Sequence, residues 1–212
     1  MNKAVVFLLG CLALSAGYPA AAGEPPPAPR WSFEFKGGQI QPAQADWKRY
    51  YGSDAMYQFS AALGYMPLRA LQLGAELGYS QDNGQGLLPA SGTLGGEVNY
   101  TLVPVHVYLT IRGAFTKGQW LIPYVGGGWT RAYYNQEVVN QQTYKGHADG
   151  WNARAGLQLL LNPLDPRSAD NLKRSFGVEY TYLTLEAQKF SAKTDGTDLG
   201  GESYLLGIRV EY

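Results

Sequence analysis

The feature that most constrains this chain is an alternation of apolar and polar residues that recurs in eight blocks. In the third block, Leu71, Leu73, Ala75, Leu77 and Tyr79 alternate with polar residues and glycines. A period of two residues is typical of a β-strand whose two faces meet different surroundings. Clusters of Gly, Asn, Asp, Ser and Pro separate the blocks, which cover residues 31–41, 56–65, 71–80, 96–113, 120–134, 151–161, 176–187 and 204–212. The sequence therefore predicts an all-β fold with one strand per block.

The connections between these blocks alternate in length. Residues 66–69 and 113–119 are short, and 163–174 is the one longer member of that set. The intervening connections are longer and polar, at 42–55, 81–95, 135–150 and 188–202. Tight turns at one end and long loops at the other are typical of an antiparallel up-and-down transmembrane β-barrel. An even number of strands then places both chain termini on the periplasmic side.

Side-chain size indicates which face of each strand points outward. One face carries large aromatic residues, and the interior of an eight-stranded barrel barely accommodates side chains. We therefore expect this face to contact lipid, with aromatic residues near the strand ends and aliphatic residues between them. The aromatic residues are Trp31, Phe33, Phe35, Tyr57, Phe59, Tyr65, Trp151, Phe176, Tyr180, Tyr182, Tyr204 and Tyr212. A soluble ligand-binding barrel, with the two faces exchanged, is an alternative.

The fourth block contains a change of parity. The apolar residues of 103–111 face one way, whereas Val98 and Tyr100 fall on the opposite parity. A β-bulge adds one residue to a strand and so restores such an alternation. We therefore predict a bulge near Leu102 and Pro104.

The first residues have the composition of a secretory leader. A positively charged start, an apolar stretch and a run of small residues predict a cleaved signal peptide over residues 1–22. Cys11, the single cysteine of the chain, lies inside this segment, and a lipoprotein anchor on it is an alternative interpretation. Residues 23–30 are rich in proline and predict an extended periplasmic tether, which leaves 31–212 for the barrel.

The charge and hydropathy of the chain exclude two classes of protein. It carries 17 basic and 17 acidic side chains without a basic block, so nothing in it favours nucleic-acid binding. No apolar run beyond the leader reaches the roughly 18 residues that a membrane helix needs. A membrane span in this chain would therefore be made of strands.

Three short motifs carry a family resemblance. Residues 102–105 (Leu-Val-Pro-Val) are similar to a proline-containing segment, and 123–128 (Pro-Tyr-Val-Gly-Gly-Gly) to the opening of a fifth strand. The carboxyl end has the terminal pattern of glycine, apolar residue and final aromatic, with Gly207, Val210 and Tyr212. On these motifs the chain resembles the small eight-stranded outer-membrane barrels of Gram-negative bacteria, most nearly the OmpW-like group, and the OmpA transmembrane domain.

This resemblance implies a location and two kinds of partner. The protein would be inserted in the outer membrane, among outer-membrane lipid. The barrel assembly machinery would recognise its last strand through the terminal pattern. OmpW-like members pass small hydrophobic solutes, so a solute of that kind is the implied cargo.

The sequence gives little support for catalysis. Barrel deacylases that resemble this fold use a His-x-Ser pair, but neither His106 nor His147 is followed by serine two residues later. His147 and Asp149 form the only other candidate pair, in the third long loop. No Cys/His cluster has the spacing of metal ligands. We therefore expect no catalytic residue, no cofactor and no metal.

Seven charged residues fall on the inward parity of the strands. Because an unpaired buried charge is costly, we expect them to pair inside the barrel. They are Glu34, Lys36, Glu76, Arg154, Glu179, Arg209 and Glu211. Three of them lie near the periplasmic end of consecutive strands, which predicts a Glu34–Arg209–Glu179 cluster. Such a cluster fits either a structural plug or the constriction of a channel.

The first long loop contains cations among aromatic residues. The segment consists of Trp47, Lys48, Arg49, Tyr50 and Tyr51. The outer leaflet presents anionic phosphates at this level, and aromatic residues favour the interface. We therefore expect the segment to contact lipopolysaccharide, the alternative being an ordinary solvated loop.

These observations predict a monomeric, non-catalytic integral outer-membrane β-barrel that is exported by its signal peptide. Its role would be structural, or that of a narrow channel for small solutes, including hydrophobic ones. Three alternatives remain: a surface interaction or adhesion protein that acts through its loops, a lipid-modifying outer-membrane enzyme, and the soluble ligand-binding barrel.

The terminal motif yields a test of assembly. Deletion of Tyr212 should leave unfolded chain in the periplasm, because the last strand would lack its recognition residue. A deletion within loop 81–95 should still allow insertion. Fractionation with a heat-modifiability gel measures both, and equal insertion of the two variants would contradict the assembly role of Tyr212.

Overall fold

The structure, a computed structural model, describes residues 30–44, 46–87, 94–138, 143–194 and 197–212. The predicted signal peptide and most of the predicted tether lie outside these residues. The strands are β1 (Trp31–Pro42), β2 (Met56–Leu68), β3 (Leu71–Leu87), β4 (Leu94–Arg112), β5 (Leu121–Val138), β6 (Thr143–Leu160), β7 (Tyr180–Thr194), β8 (Thr197–Asp198) and β9 (Gly201–Glu211). The helices are α1 (Trp47–Tyr51) and α2 (Pro166–Phe176). Within the described chain, neither helix has the length and apolar character that crossing a membrane requires.

The strands close into a barrel of eight antiparallel members. Sequence neighbours from β1 to β7 pair in order, and β9 pairs with both β7 and β1. Strand β8 is a two-residue extension that pairs only with the end of β7. The closing register sets Phe33 opposite Val210 on β9 and opposite Leu63 on β2. The predicted eight-stranded antiparallel barrel is confirmed.

Strands β3 to β6 are longer than the alternation predicted. The pairing of β5 with β6 continues in constant register to Glu137 and Thr143, so residues 135–138 and 143–150 of the predicted loop belong to strands. Residues 81–87 likewise belong to β3 instead of the predicted loop 81–95. In the described parts of these extensions most side chains on either face are at least partly exposed, so little alternation marks them in the sequence.

The seventh strand begins later than predicted. Phe176 ends helix α2, where its side chain is 69% exposed, and Gly177 follows with φ 73°. Asp165 caps the start of this helix by accepting hydrogen bonds from the side chain and the backbone N–H of Ser168, which lower the pKa of the Asp165 carboxyl. The predicted strand start at Phe176 is therefore wrong, because a capped helix occupies that turn.

The predicted bulge in the fourth strand is also wrong. The register of β4 with β5 is unbroken from Val98 to Arg112. Val98, Tyr100 and Leu102 are buried on the same inward face as His106. The parity does not change along this strand. Instead, the barrel interior is apolar near its external end and polar farther in.

The outer surface of the barrel is apolar and ends at aromatic residues. Trp129 and Trp151 are exposed cross-strand neighbours, and the next outward pair is the ion pair of Arg131 and Asp149. Most of the aromatic residues that we expected outside are exposed there. Tyr182 is an exception, since it points into the barrel and is 2% exposed. A belt of this kind, closed by aromatic and then charged residues, fits the hydrocarbon layer.

Large side chains enter the narrow interior where a facing residue is glycine. A Cβ on Gly74 would overlap the ring of Tyr108, and one on Gly156 would overlap the ring of Tyr124. Both tyrosines are buried. Glycine on a neighbouring strand therefore leaves enough space for an aromatic side chain inside a bore that we expected to be too narrow for one.

This packing is testable at Gly74. Replacement by Val should force Tyr108 out of its position and lower the free energy of unfolding by about 1–3 kcal/mol. Urea unfolding in lipid vesicles measures the change. Ala75→Val, on the lipid-facing side of the same strand, is the matched control and should change little. Equal stability of the Gly74→Val variant and the unmodified protein would contradict this account.

Candidate functional site in the barrel interior

The described interior contains three stacked groups of buried side chains and, at its periplasmic end, a small apolar group of Ile122, Leu160 and Tyr182. The central ion cluster consists of Lys36, Glu76, Arg154 and Glu186. The periplasmic ion cluster consists of Glu34, Arg112, Arg209 and Glu211. The external apolar layer consists of Ile40, Trp47, Met56, Tyr100, Leu102, Ala132, Ala148, Phe190, Ala192 and Leu199.

Lys36 organises the central ion cluster. Its Nζ lies 2.7 Å from Glu76 Oε2 and 2.7 Å from Glu186 Oε1. Arg154 Nη1 lies 2.8 Å from the same oxygen of Glu76 and 3.8 Å from Glu186 Oε1. These residues come from β1, β3, β7 and β6, so the cluster reaches across the bore of the barrel.

Two tyrosines complete the central ion cluster. The Arg154 guanidinium lies over the Tyr108 ring, with its carbon 3.5 Å from the ring centroid. The Tyr124 hydroxyl donates a 2.8 Å hydrogen bond to Glu186 Oε2. A cation on an aromatic face and a carboxylate that accepts a hydroxyl proton both lower the cost of burying charge.

The periplasmic ion cluster is built around Glu211. Its Oε1 accepts hydrogen bonds from Arg112 Nη2 at 2.6 Å and from Arg209 Nε at 2.8 Å. Arg209 Nη1 lies 3.7 Å from Glu34 Oε2, and Thr184 donates to the other oxygen of Glu34 at 2.7 Å. Each of the two clusters holds two cations and two carboxylates, so each is neutral with ordinary ionisation.

Helix α1 folds over the external apolar layer. Trp47 is buried, stacks on Tyr51 with ring centroids 4.0 Å apart, and meets Tyr100 edge-on at 5.0 Å. Its Nε1 donates to Asp82 Oδ2 at 3.3 Å. Burial, with the charge of Asp82 adding to it, raises the pKa of the Tyr51 phenol to about 12. The helix therefore covers the external mouth with neutral aromatic groups.

Several buried polar atoms between these groups have no hydrogen-bond partner in the described part of the chain. They include Glu76 Oε1, Arg154 Nε, His106 Nε2 and both polar atoms of Gln188. The other ring nitrogen of His106 lies 2.7 Å from the Thr130 hydroxyl. Because buried polar groups are normally paired, the middle of the interior retains unused capacity for hydrogen bonds.

Six of the seven charges that we predicted to point inward lie in these two clusters. Glu179 does not: its carboxylate lies 2.8 Å from Lys173 of helix α2, outside the barrel, and it precedes the first residue of β7. The predicted Glu34–Arg209–Glu179 cluster is therefore wrong in its third member. In its place Arg209 bridges Glu34 and Glu211.

Two inward charges were missed. Arg112 has the same parity as the inward residues of β4, so the alternation alone could have identified it. Glu186 was missed because the predicted start at Phe176 inverted the parity of the seventh strand. The true inward face of β7 carries Tyr182, Thr184 and Glu186, all of them buried.

The remaining predicted site residues lie at the two ends of the barrel. In α1, Lys48 and Arg49 are exposed and Tyr50 is partly exposed, whereas Trp47 points inward. At the carboxyl end, Val210 is partly buried and Tyr212 pairs its backbone with Trp31. Gly207 faces inward, where a Cβ would lie 2.6 Å from Lys36 Cγ. The glycine of the terminal motif therefore also makes room for the central ion cluster.

Neither histidine belongs to an arrangement typical of a catalytic or metal site in the described part of the chain. His106 is buried, and His147 is exposed against Tyr133. Both carboxylate oxygens of Asp149 accept hydrogen bonds from Arg131, at 2.8 Å each. Within the described ranges, no group of three or more His, Cys, Asp and Glu side chains is arranged to hold a metal ion.

Comparisons with solved structures find barrels of the same fold. The outer membrane protein OprG from Pseudomonas aeruginosa is 14% identical with a TM-score of 0.58, over 87% of this chain and 97% of that chain. Neisserial surface protein A is 10% identical with a TM-score of 0.56, over 88% and 100%. The attachment invasion locus protein Ail of Yersinia pestis is 10% identical with a TM-score of 0.50, over 86% and 97%. At these identities the likeness shows the fold alone.

The family comparison covers nearly the whole sequence. Residues 7–212 match the family described as the outer membrane protein beta-barrel domain. A search of curated protein sequences found no match. The match of the sequence, together with the closed eight-stranded barrel, shows that this chain belongs to the outer membrane protein beta-barrel family.

Proposed function

We propose that this protein is a non-catalytic outer-membrane barrel with a sealed interior and a structural role. The observation that carries the proposal is the stacking of two neutral ion clusters beneath an apolar layer. The inward charges are 2–6% exposed as residues, and each has a partner. Ion pairs of this kind connect different strands across the interior and so stabilise the barrel.

Ion passage through such an interior would require two separate disruptions. In the central ion cluster, an ion would have to displace Lys36 from Glu76 and Glu186. In the periplasmic ion cluster, it would have to separate Arg209 from Glu211. Separating a buried pair exposes an uncompensated charge, which costs about 3–5 kcal/mol. The two seals act in series, so opening one of them leaves the path closed.

The arrangement of the histidines supports a non-catalytic role. The candidate pair of His147 and Asp149 is occupied, since Arg131 holds the Asp149 carboxylate through two hydrogen bonds. His106 is buried within the wall of side chains and its partner is a threonine. A general base needs a substrate within hydrogen-bond reach, and the burial of His106 keeps a substrate from reaching its ring.

A second candidate is the passage of small hydrophobic solutes, which the resemblance to OmpW-like proteins suggests. Two observations favour it: the external part of the interior is apolar, and an apolar groove of about 780 Å³ lies on the outer wall. Phe35, Phe59 and Leu206 line this groove. A solute of this kind would leave through the wall, which does not require the ion clusters to open.

The sealed interior predicts separate effects on stability and conductance. Arg209→Ala should lower the free energy of unfolding by about 3 kcal/mol, because Glu34 loses its cation partner inside the barrel. It should carry no steady ion current, because the central ion cluster still closes the bore. Urea unfolding in vesicles and planar-bilayer recording measure the two quantities.

Arg209→Lys is the control for this experiment, since it keeps a cation beside Glu34 and should lose less stability. A steady current through the unmodified protein would contradict the sealed interior. A current that begins only in Arg209→Ala would make the periplasmic ion cluster the constriction of a channel.

We also propose that helix α1 contacts lipopolysaccharide through its two cations. With Trp47 and Tyr51 packed over the interior, the helix leaves Lys48 and Arg49 exposed. Lys48 Nζ lies 2.7 Å from Asp54 Oδ2, whereas Arg49 has no salt-bridge partner among the described residues. Arg49 is therefore the cation better able to bind a phosphate group.

This contact predicts an order of effects. Arg49→Gln should reduce the lipopolysaccharide that co-purifies with the protein more than Lys48→Gln does, because Lys48 is already paired with Asp54. Lys117→Gln, in the turn at the opposite end of the barrel, is the control and should change nothing. Quantification of bound lipid by mass spectrometry measures all three, and equal retention in every variant would disprove the contact.

A further inference from the structure

Four strands extend beyond the barrel at its external end. The pairing of β4 with β5 reaches Val98 and Val138, and that of β5 with β6 reaches Glu137 and Thr143. The neighbouring pairings stop earlier, at Gln81 between β2 and β3 and at Gly150 between β6 and β7. The extensions of β3, β4, β5 and β6 therefore form one projecting sheet with two lateral edges, along β3 and along β6.

Helix α1 packs against the inward face of the β3 extension. Trp47 donates to the side chain of Asp82 on this face. The backbone oxygen of Tyr50 and the side chain of Tyr51 occupy the space that an inward Cβ on Gly84 would need. The helix therefore covers the inner face of the projecting sheet beside β3.

We call residues 143–149 of β6, on the side facing β7, the external edge. No strand in the described part of the chain pairs with it, since the pairing of β6 with β7 ends at Gly150 and Ala192. Strand β7 ends at Thr194, and its last residues pair with β8 on the side of β9. Within the described residues, the projecting sheet therefore has an open edge along β6.

The hydrogen bonds at the other end of β6 identify which backbone groups face the open side. Leu160 N–H donates to Trp120 on the β5 side, and Leu161 N–H donates to Thr181 on the β7 side. Because the β5–β6 register is constant to Thr143, odd-numbered residues face away from β5 along the whole strand. Thr143, Lys145 and His147 thus direct their backbone N–H and C=O groups to the external edge.

We propose that the external edge binds an extended, acidic segment of another protein, which adds to the sheet as a further strand. Main-chain hydrogen bonds to the odd-numbered residues would supply affinity, as in other cases of strand addition. Side chains opposite one another on adjacent strands share a face, so a residue of the partner lies beside Lys145. A carboxylate at that position matches the charge.

The charges around the external edge favour an acidic partner. Lys145 is exposed, and Lys193 is exposed at the end of β7. Three carboxylates lie near these cations, and each already has a partner. Arg131 holds Asp149 through a two-hydrogen-bond ion pair. Asp198, opposite Lys193, accepts hydrogen bonds from Ser191 and from two backbone N–H groups, and Glu137, opposite Thr143, accepts one from Asn135. A lysine on an open edge also disfavours pairing with uncharged strands, because the ammonium group would lose water without gaining a partner. The edge is therefore selective for strands that carry a carboxylate.

The same charges argue against a second copy of this chain as the occupant. An antiparallel pairing of two external edges centred on Gly146 places Lys145 opposite His147 twice. A pairing centred on Lys145 places the two ammonium groups opposite each other. A pairing centred on His147 places Lys145 opposite Asp149, whose carboxylate Arg131 already holds. None of these registers brings a free carboxylate beside Lys145. The proposal holds whether or not the lumen is sealed, because the external edge lies outside the barrel wall.

The test uses hydrogen exchange of the backbone amides of Thr143, Lys145 and His147 in the folded protein in lipid nanodiscs. The probes are two synthetic heptapeptides of alternating valine and threonine, one with a central glutamate and one with a central lysine. Without peptide the three amides should exchange rapidly. The glutamate peptide at millimolar concentration should slow their exchange by about tenfold or more, which corresponds to about 1.4 kcal/mol. The lysine peptide should slow it less.

Two variants sharpen the result. Lys145→Glu should reverse the preference between the peptides, whereas Lys117→Glu, the matched charge change in a turn at the opposite end, should leave it unchanged. His147→Pro removes one donor of the open edge without disturbing the bonds to β5, and it should weaken protection at Thr143 and Lys145. The heat-modifiability gel verifies that each barrel is folded.

Four outcomes would overturn the proposal. If the amides of the external edge are protected before peptide is added, the edge is already covered. If that protection rises with protein concentration, the occupant is a second copy of this chain. Equal protection by the two peptides would remove the acidic specificity. No protection by either peptide at millimolar concentration would show that the edge does not accept a strand.

Discussion

The narrow bore of an eight-stranded barrel is the constraint on which the rest of this structure depends. Such a bore has no room for a hydrated channel beside large side chains, so each residue that enters it must find both space and a partner. Space comes from glycine, as at Gly74 beside Tyr108. Partners come from opposite charge, as where Lys36 lies between Glu76 and Glu186. The interior is consequently an inverted core, with charge inside and hydrocarbon outside.

The interior changes character along the barrel axis. Ion clusters fill the periplasmic and central parts, whereas apolar side chains beneath helix α1 fill the external part. A charged cluster stabilises the wall because strands that are distant in sequence share one network. An apolar layer excludes water from its outer side.

The external end of the molecule is organised differently from the membrane span. There the strands β3 to β6 continue as a sheet whose inner face carries α1 beside β3 and whose edge along β6 has no partner strand among the described residues. Inside the membrane, closure of the barrel satisfies the backbone of every strand, as lipid requires. Above it, water can satisfy the open edge, and so can another chain. The same hydrogen-bonding requirement that forces closure in the membrane thus allows an interaction surface outside it.

The sequence by itself determined the strands, their antiparallel order and the inward position of six charges, because the face of a residue follows from its own place in a regular alternation. It failed at Phe176, where a helix shifted the parity, and at Val98 and Tyr100, where inward residues are apolar. Only the tertiary structure decided that Arg209 meets Glu211 and that Glu186 meets Lys36. Those contacts join strands that are far apart in the chain, and they depend on the stagger with which the barrel closes, which no local pattern records.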